Sequence, residues 1–511
     1  MDSELGSALL AVGGAQPLHE PYAAVAETHV GVVLFVGDRA YKLKKPVALG
    51  FADFTLREAR AVACRREVEL NARLAPDVYL GVADLVGPDG HPFDHWVVMR
   101  RLPAARRLSS LVLEGADVRA HLDALACLLA SFHDQAARGP AIDAAGDFDA
   151  TVGRWEANAA RLRSIAISPR DQAEGDATLR LATRYLEGRR PLLGARIAAR
   201  KVCDGHGDLL AEDIFCLDDL PRVLDCLEFD DRLRYGDVLA DVAFLAMDLE
   251  YLGRPDLAST FLERYRCVAG EAWPASLAHH YVAYRAQVRA LVAGVRHSQG
   301  FEGAASAVRA HLELARTHLE AARVRLVVVA GDPGSGKSTL ADGLADAISA
   351  TVLRSDAVRK RIAGLDPTEP APAPFEGGIY RSSMSTATYD ALLDGAQAAL
   401  TMGASVVLDA TFSDAIGRDR VRRLATETSA DLDMLACVAP PDVVAGRLAS
   451  RRRDVHGSDA DISVARRLAA RAAPWGPEAV LDSSGSISAV LATALKRLGV
   501  EPPRSTEPIA S

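Results

Sequence analysis

The chain has seven cysteines (Cys64, Cys127, Cys203, Cys216, Cys226, Cys267 and Cys437) but no CxxC pair and no metal-ligand spacing among them. That excludes a zinc knuckle or a disulfide framework as the organising principle and predicts reduced, buried thiols. No Lys or Arg precedes Arg39, so the short apolar run in MDSELGSALLAVGGAQ lacks the basic leader of a secretory signal. No run of about 18 uninterrupted apolar residues occurs, so no membrane span is expected and a cytoplasmic location is. Positive charge is not in excess either. The formal net charge is −9 and the pI is near 5.9, so a nucleic-acid or membrane partner would need a local basic patch and none is expected. There is no internal repeat.

What is present is the composition of a folded protein: 49% hydrophobic and 25% charged residues in 511. That length exceeds one ordinary core and implies two or three domains. HVGVVLFVGDRAYKLKK reads as a hairpin over residues 30–44 with a Gly-Asp turn. A helical stretch, LREARAVACRREVELNARLA, and a β pattern, HWVVMRRLP, complete a small β-rich unit. From about 104 to 323 the pattern is mostly helical, with Leu122, Leu125, Leu129 and Phe132 on one face of HLDALACLLASFHD. Near 324 the pattern changes. VRLVVVAG is the continuous β-branched run of a strand buried in a parallel sheet, and ATVLRSD, ASVVLDATF and DMLACVAP alternate with helical segments. A helix with Val308, Leu312, Ala315, Leu319 and Ala322 on one face runs almost directly into the first of these strands, which predicts two packed domains. DPTEPAPAPFEGG, 366–378, reads as a Pro/Gly-rich loop, and the tail 499–511 as disordered.

GDPGSGKST, residues 331–339, fits G-x-x-x-x-G-K-[ST]. Gly331, Asp332, Pro333, Gly334, Ser335 and Gly336 form a loop whose backbone N–H groups can close on phosphate oxygens at the positive end of the next helix. Lys337 would neutralise the β/γ-phosphates, Ser338 would bind Mg²⁺, and Thr339 continues the turn. Average composition gives this pattern by chance in roughly 2 of 100 chains of this length; here it also follows a strand and opens a helix. In LRSDAVRKRI, Asp356 could take a proton from an attacking hydroxyl while Arg359, one turn on, holds an anionic group of the acceptor. Asp409 and Thr411 end the VVLDATF strand, and Asp409 is a candidate for the metal's water shell. Arg447, Arg451, Arg452 and Arg453 in GRLASRRRD are candidates for a lid over the transferring phosphoryl. The alternatives are a helix cap at Asp356 and solvated faces at the arginines.

These four motifs, in this order, make residues 324–498 resemble the small P-loop kinases: gluconate kinase, the polynucleotide kinase domain and, more distantly, zeta toxin. The polynucleotide kinase resemblance implies a base role for Asp356 and acceptor-phosphate binding for Arg359.

In HGDLLAEDIF, His206 and Asp208 have kinase catalytic-loop spacing, and Asp213 stands five after Asp208. Asp208 would orient the proton of the substrate hydroxyl, and Asp213, with Asp225 of RVLDCLEF, would hold Mg²⁺. His206 reads as a clamp on the loop. With Gly236, Asp237 and Asp241 of YGDVLADVAFLAMD behind it, the segment 20–323 resembles the aminoglycoside phosphotransferase family. The resemblance implies a strand lysine on the α/β-phosphates, Lys42 or its same-face neighbour Lys44, paired with a helix glutamate, Glu67. It also implies a hinge around Met99–Leu102 whose backbone meets adenine. The family's loop has Asn where this chain has Asp213, so three carboxylates are expected to crowd one metal site. A hard cation tolerates that crowding; like-charge repulsion opposes it when the cation is absent.

The sequence therefore predicts an α+β protein-kinase-like N-terminal domain at 20–323, with a small lobe at 20–103 and a helical lobe at 104–323. An α/β P-loop kinase domain with a parallel sheet follows at 324–498. The whole resembles a bacterial fusion of an aminoglycoside phosphotransferase-like domain with a P-loop (AAA-type) ATP-binding domain. ATP and Mg²⁺ are the implied cofactors and a small-molecule hydroxyl the implied acceptor. The alternatives are a nucleotide-sensing regulator with a non-catalytic kinase-like half, and a polynucleotide 5′-hydroxyl kinase. Oligomeric state has no signature in the sequence.

Overall fold

The computed structural model describes residues 22–27, 31–48, 53–88, 90–366, 378–451 and 473–500, the side chains of 449–451 excepted. The N-terminal leader question, most of the 366–378 loop, the tail beyond 500, the Arg451 side chain, Arg452 and Arg453 lie outside the described residues. Among the described residues no helix is long and apolar enough to cross a membrane.

The chain divides into two compact units, and the division does not fall at residue 323. One unit takes the chain up to Ala136 together with Asp204–Arg234 and Asp248–Ala269; the other takes Ala137–Cys203, Tyr235–Met247 and everything from Gly270 onward.

The first unit is built on an antiparallel sheet of β1 (Ala23–Glu27), β2 (Gly31–Val36), β3 (Arg39–Lys44), β4 (Tyr79–Val86) and β5 (Pro92–Arg100), in the order β1-β2-β3-β5-β4. The Gly37-Asp38 turn between β2 and β3 is as expected, with Gly37 at φ 58°. Strands β1 and β4 are additional to the sequence reading. The helix Arg57–Asn71 packs across the sheet: Cys64 joins Ala40, Val78, Tyr79, Val97 and Met99 in one apolar cluster. Helix Arg119–Gln135 buries Leu122, Leu125, Leu129 and Phe132, the face read from the sequence. After β6 (Val202–Asp204) the HGD loop leads into a short hairpin of β7 (Ile214–Cys216) and β8 (Pro221–Val223). Five of the seven cysteines are buried, while Cys127 and Cys267 are exposed.

In the second unit, β9 (Tyr235–Asp237) is followed by the P-loop sheet of β10 (Arg325–Gly331), β11 (Thr351–Arg354), β12 (Val406–Asp409), β13 (Asp431–Val438) and β14 (Val480–Asp482). All its pairings are parallel, in the order β11-β12-β10-β13-β14. The central strand β10 buries Leu326 to Ala330 completely, which is why its sequence runs apolar without alternation. Strand succession changes sides at β10, with β11 and β12 on one side and β13 and β14 on the other, and open α/β sheets bind ligands at the C-terminal ends of strands at such a point.

Helices read from sequence as belonging to the kinase-like lobe pack on this sheet domain. Helix Pro169–Glu187 ends at Gly188, where a Cβ would lie 2.1 Å from the Thr428 carbonyl oxygen. Next to it the buried Arg189 donates to Thr428 O at 2.6 Å. Arg184 and Arg323 both pair with Asp431 at the start of β13, at 2.6 and 2.5 Å. Tyr185 donates to Ser276 Oγ (3.1 Å), which donates to the carbonyl of Gly403 (2.7 Å). These contacts, at Gly403, Thr428 and Asp431, join helices 169–198 and 275–321 to the P-loop sheet domain in one compact unit.

Two predictions follow from this packing. Gly188→Ala forces Thr428 to move, an overpacking cost of about 1–3 kcal/mol, read as a lower urea midpoint with an unchanged slope. The second concerns His280, which is fully buried, stacks on Tyr185 with centroids 4.7 Å apart, and accepts from Trp155 Nε1 at 3.3 Å. Burial pushes its pKa down to about 3. The unfolded chain therefore takes up a proton that the native protein refuses. The His280 contribution is complete above the ordinary imidazole pKa and is lost as pH falls from there toward about 3. The slope approaches about 1.4 kcal/mol per pH unit. His280→Gln, which keeps an acceptor for Trp155, should flatten stability between pH 6 and 4 as measured by urea unfolding.

Candidate functional site

In the first unit, Lys42 and Lys44 alternate along β3 and so share one face, opposite the helix Arg57–Asn71 that carries Glu67. Glu67 is fully buried, and each carboxylate oxygen has its own lysine: Oε1 lies 2.9 Å from Lys42 Nζ and Oε2 lies 2.7 Å from Lys44 Nζ. The two lysines then diverge. Lys42 reaches Asp225 Oδ1 at 2.5 Å, whereas Lys44 reaches Glu228 Oε1 at 2.5 Å and sits over the Phe54 ring at 5.3 Å. Lys44 has a side-chain exposure of 3% and Lys42 of 14%, while the Asp225 side chain is 48% exposed. Burial opposes the charge on Lys42, but Asp225 and then Glu67 outweigh it and hold its pKa well above the usual lysine value. Burial also opposes ionisation of Glu67, and Lys42 and Lys44 overcome it to leave its pKa lowered.

Asp225 has φ 64°, a left-handed conformation that Asp tolerates better than most residues. Its N–H donates to Tyr79 Oη at 3.2 Å, and the next N–H, of Cys226, donates to Asn71 Oδ1 at 2.8 Å. The segment after β8 is thus tied to the end of the Glu67 helix and to β4. His206 is fully buried and braces the same segment. Its Nε2 lies 3.1 Å from Leu224 O, and its Nδ1 lies 3.4 Å from the backbone N of Asp208.

Asp213 lies in a 3₁₀ turn, Ala211–Asp213, whose carbonyl accepts from Leu224 N at 3.0 Å. Burial pushes the Asp213 carboxyl pKa well above the usual value, and repulsion from Asp225, Glu212 and Asp208 adds to it. Repulsion is therefore present as expected, but burial is the larger cause. Among the described residues no three acidic, imidazole or thiolate groups converge on one cation position, so the expected crowd of three carboxylates is not a preformed cage. Asp237 is occupied elsewhere: it makes a buried bidentate pair with Arg196 (2.6 and 2.7 Å), which also binds Glu271. Asp241 is buried too. At the expected hinge, Met99 is core, and the Arg101 N–H already donates to Asp38 O at 2.8 Å.

In the second unit the loop after β10 uses positive φ at Gly331 (140°), Gly334 (85°) and Gly336 (88°). A Cβ at Gly331 would meet Cys437 O and Ser335 Oγ at 2.6 Å, and one at Gly334 would meet Val444 at 2.9 Å. Only glycine fits both the turn and the space. Helix Lys337–Ile348 starts directly after Gly336. Lys337 is buried, Asp332, Ser338 and Gly331 are half-buried, Pro333 and Ser335 are buried, and Thr339 is exposed. Burial raises the pKa of Asp332 despite Lys337 nearby. Arg447 donates to Ser335 O (3.3 Å) and to Ser483 O (2.7 Å), and so binds the back of the loop.

Asp409 ends β12 beside Val329 of β10. It is buried, its Oδ1 has no hydrogen-bond partner, and its Oδ2 is 3.6 Å from Arg354 Nε. Arg354 also pairs with Asp342 of the helix that follows the P-loop. Asp356 accepts from Tyr380 Oη at 3.2 Å and pairs with the buried Lys360 at 3.1 Å, while Arg359 stacks on the Tyr380 ring at 4.8 Å. Thr411 Oγ1 is 3.0 Å from Tyr389 Oη. The sequence reading did not single out Glu228, Asn71, Tyr79, Arg354, Lys360 or Tyr380. The nearest sequence signal was the i,i+3 spacing of Asp225 and Glu228 opposite the i,i+2 spacing of the lysines.

Comparison with known proteins places both halves. Residues 38–278 match the model of the phosphotransferase enzyme family, and residues 326–475 match an AAA domain. Over 470 residues the chain is 45% identical to the Mycobacterium tuberculosis protein Rv2004c, spanning 91% of this chain and 93% of that one. Among solved structures, a sugar kinase from Janibacter sp. HTCC2649 aligns with 36% of this chain and 99% of its own, at 24% identity and TM-score 0.28. A choline/ethanolamine kinase family protein from Mesorhizobium loti aligns with 60% of this chain and 92% of its own, at 14% identity and TM-score 0.39. The chain is thus a kinase-like phosphotransferase-family domain followed by a P-loop AAA-type domain, and it belongs to one family with the mycobacterial protein.

Proposed function

We propose that the chain is an ATP- and Mg²⁺-dependent phosphotransferase with two transfer sites, each moving the γ-phosphoryl of ATP to a hydroxyl of a small molecule. The observation that carries the reading is the Lys42–Glu67–Asp225 constellation beside Asp208 and Asp213, on the same chain as a complete P-loop. The domain limits proposed for these activities are 20–323 and 324–498, with helices of the first range packed on the second.

In the N-terminal site Lys42 binds the α/β-phosphates, and Asp208 orients the acceptor hydroxyl and receives its proton. Asp213 and Asp225 are the metal carboxylates. Mg²⁺ takes one or two protein carboxylates and completes its shell with phosphate oxygens and water, so the absence of a three-carboxylate cage among the described residues suits it. A carboxyl such as Asp213, forced toward its neutral form by burial and by Asp225, is the donor that a bound cation would restore to its charged state. When bound, the ion supplies neutralisation of phosphate charge.

In the C-terminal site the loop N–H groups and Lys337 hold the β/γ-phosphates, and Ser338 and Asp409, with its unpartnered Oδ1, face the metal's shell. Asp356 is the base, Arg359 holds an anionic group of the acceptor, and Arg447 braces the loop from behind. Nucleotide contacts by Arg451 remain part of the reading from sequence alone.

The test is ATP consumption with ³¹P product analysis over a panel of sugars and metabolite alcohols. Two separable activities are expected, one lost by about 10²-fold or more in Lys337→Ala and the other in Asp208→Ala. If neither substitution lowers any transfer found, the two-site reading is wrong; if only Lys337→Ala does, the kinase-like half is a binding module. Asp213→Asn supplies a further check. In metal-free buffer it should melt above wild type, because a repelled, buried carboxyl is gone, and it should need more Mg²⁺ for half-maximal turnover. An unchanged Mg²⁺ requirement removes Asp213 from the metal site.

A further inference from the structure

Lys44 looks interchangeable with Lys42 in the sequence, but its surroundings are different. Its ammonium is enclosed by Glu67, Glu228 and the Phe54 ring, and only 3% of its side chain is exposed. Two carboxylates and a ring already surround Nζ, so reaching a nucleotide would mean giving up a buried ion pair. Lys42, by contrast, is bound to one buried partner, Glu67, and to one half-exposed partner, Asp225.

Consider Glu67 without Lys44. Its carboxylate would be held by Lys42 alone, one of its two oxygens would be buried without a cation, and the pair could swing as a unit whenever Asp225 left Lys42. With Lys44 in place, the second oxygen is pinned at 2.7 Å to an ammonium that is itself anchored on Glu228 at 2.5 Å. Glu228 lies three residues after Asp225, in the segment whose backbone is tied to Tyr79 and Asn71. The anchor is therefore fixed to the same loop that carries the half-exposed Asp225 carboxylate.

We propose that Lys44 and Glu228 are positioning residues: they fix the Glu67 carboxylate so that Lys42 stays aimed at the nucleotide phosphates when Asp225 releases it. The proposal rests on the reading of the N-terminal site as a nucleotide site. It predicts that the second ion pair acts on nucleotide affinity through Lys42 and not only on stability. Removing one member alone strands a buried charge, so a loss of folding in the single variant would be ambiguous. The double variant removes both charges and resolves this.

The experiment is calorimetric titration with Mg²⁺·AMP-PNP in a Lys337→Ala background, which weakens the P-loop site, together with melting curves. Lys44→Met should lower affinity at the N-terminal site at least tenfold and lower the melting temperature. Lys44→Met/Glu228→Gln should recover the melting temperature but not the affinity. If the double variant recovers both, or Lys44→Met binds as tightly as its parent, the pair is merely structural and the proposal falls. Lys42→Ala separates this from the underlying reading: it should lose the same binding. If Lys42→Ala binds as the parent does, or the parent shows no N-terminal binding, the nucleotide-site reading itself fails and takes the proposal with it.

Discussion

The carboxylate of Glu67 is the constraint around which the first unit is arranged. A fully buried carboxylate costs several kcal/mol in desolvation, and only well-placed opposite charge offsets it. Here the offset is two lysines, one per oxygen, and it requires three separate pieces of chain to be in register. Strand β3 must present residues 42 and 44 on the face toward the helix, the helix must present residue 67 inward, and the segment after β8 must bring Asp225 and Glu228 to the outer sides of the ammonium groups. The hydrogen bonds from the Asp225 and Cys226 N–H groups to Tyr79 and Asn71 hold that segment in its left-handed turn. Sheet, helix and loop thus stabilise one another through a single charge cluster, which makes the geometry of the candidate site inseparable from the fold of the small sheet.

The P-loop unit handles anionic chemistry in another way. Its sheet is apolar along the central strand, and the loop that follows β10 is shaped by three glycines at positive φ rather than by ion pairs. Partial charges of backbone N–H groups need no counter-ion when no ligand is bound, so this loop carries no equivalent of the Lys42–Asp225 bridge. The charged groups around it are braced against one another instead: Arg354 between Asp342 and Asp409, Lys360 and Tyr380 on Asp356, Arg447 on two carbonyls. One unoccupied acceptor stands out among them, Asp409 Oδ1.

What the sequence displayed and what it concealed follow the range of the interactions. The β2–β3 hairpin, the strand–loop–helix of the P-loop and the inward face of helix Ala304–Ala321 are local patterns, and each is where its spacing placed it. The HGD loop and Asp225 were legible because they are separated by one short hairpin. Glu228 and Lys44 were visible as charges but not as partners, since 184 residues separate them. Asn71 and Tyr79 each hold the segment after β8 through one hydrogen bond, which leaves no periodicity to detect. The packing of helices 169–198 and 275–321 on the P-loop sheet was concealed for a similar reason. It depends on the absence of a side chain at Gly188 and on one serine hydroxyl at Ser276, and their sequence context is otherwise that of ordinary helices.

The charge inventory of the N-terminal site gives the substitution at position 213 its meaning. Asp225, Glu67 and Glu228 are three carboxylates on two ammonium groups, Lys42 and Lys44, and Asp213 is repelled by Asp225, Glu212 and Asp208 with Arg107 as the opposing cation. A nucleotide brings further negative charge to this region, so the excess opposes binding unless divalent cations come with it. Asn at 213 would remove one of these carboxylates. Asp225 is held on Lys42, and burial with like-charge repulsion raises the pKa of Asp213. Under the proposed reading, added cation charge would reverse both, because the same carboxylates would then have a better partner. Asp213 would then shift the balance of the site toward a state in which metal and nucleotide arrive together, while the ion pair of Lys44 with the largely buried Glu228 would lie outside that exchange.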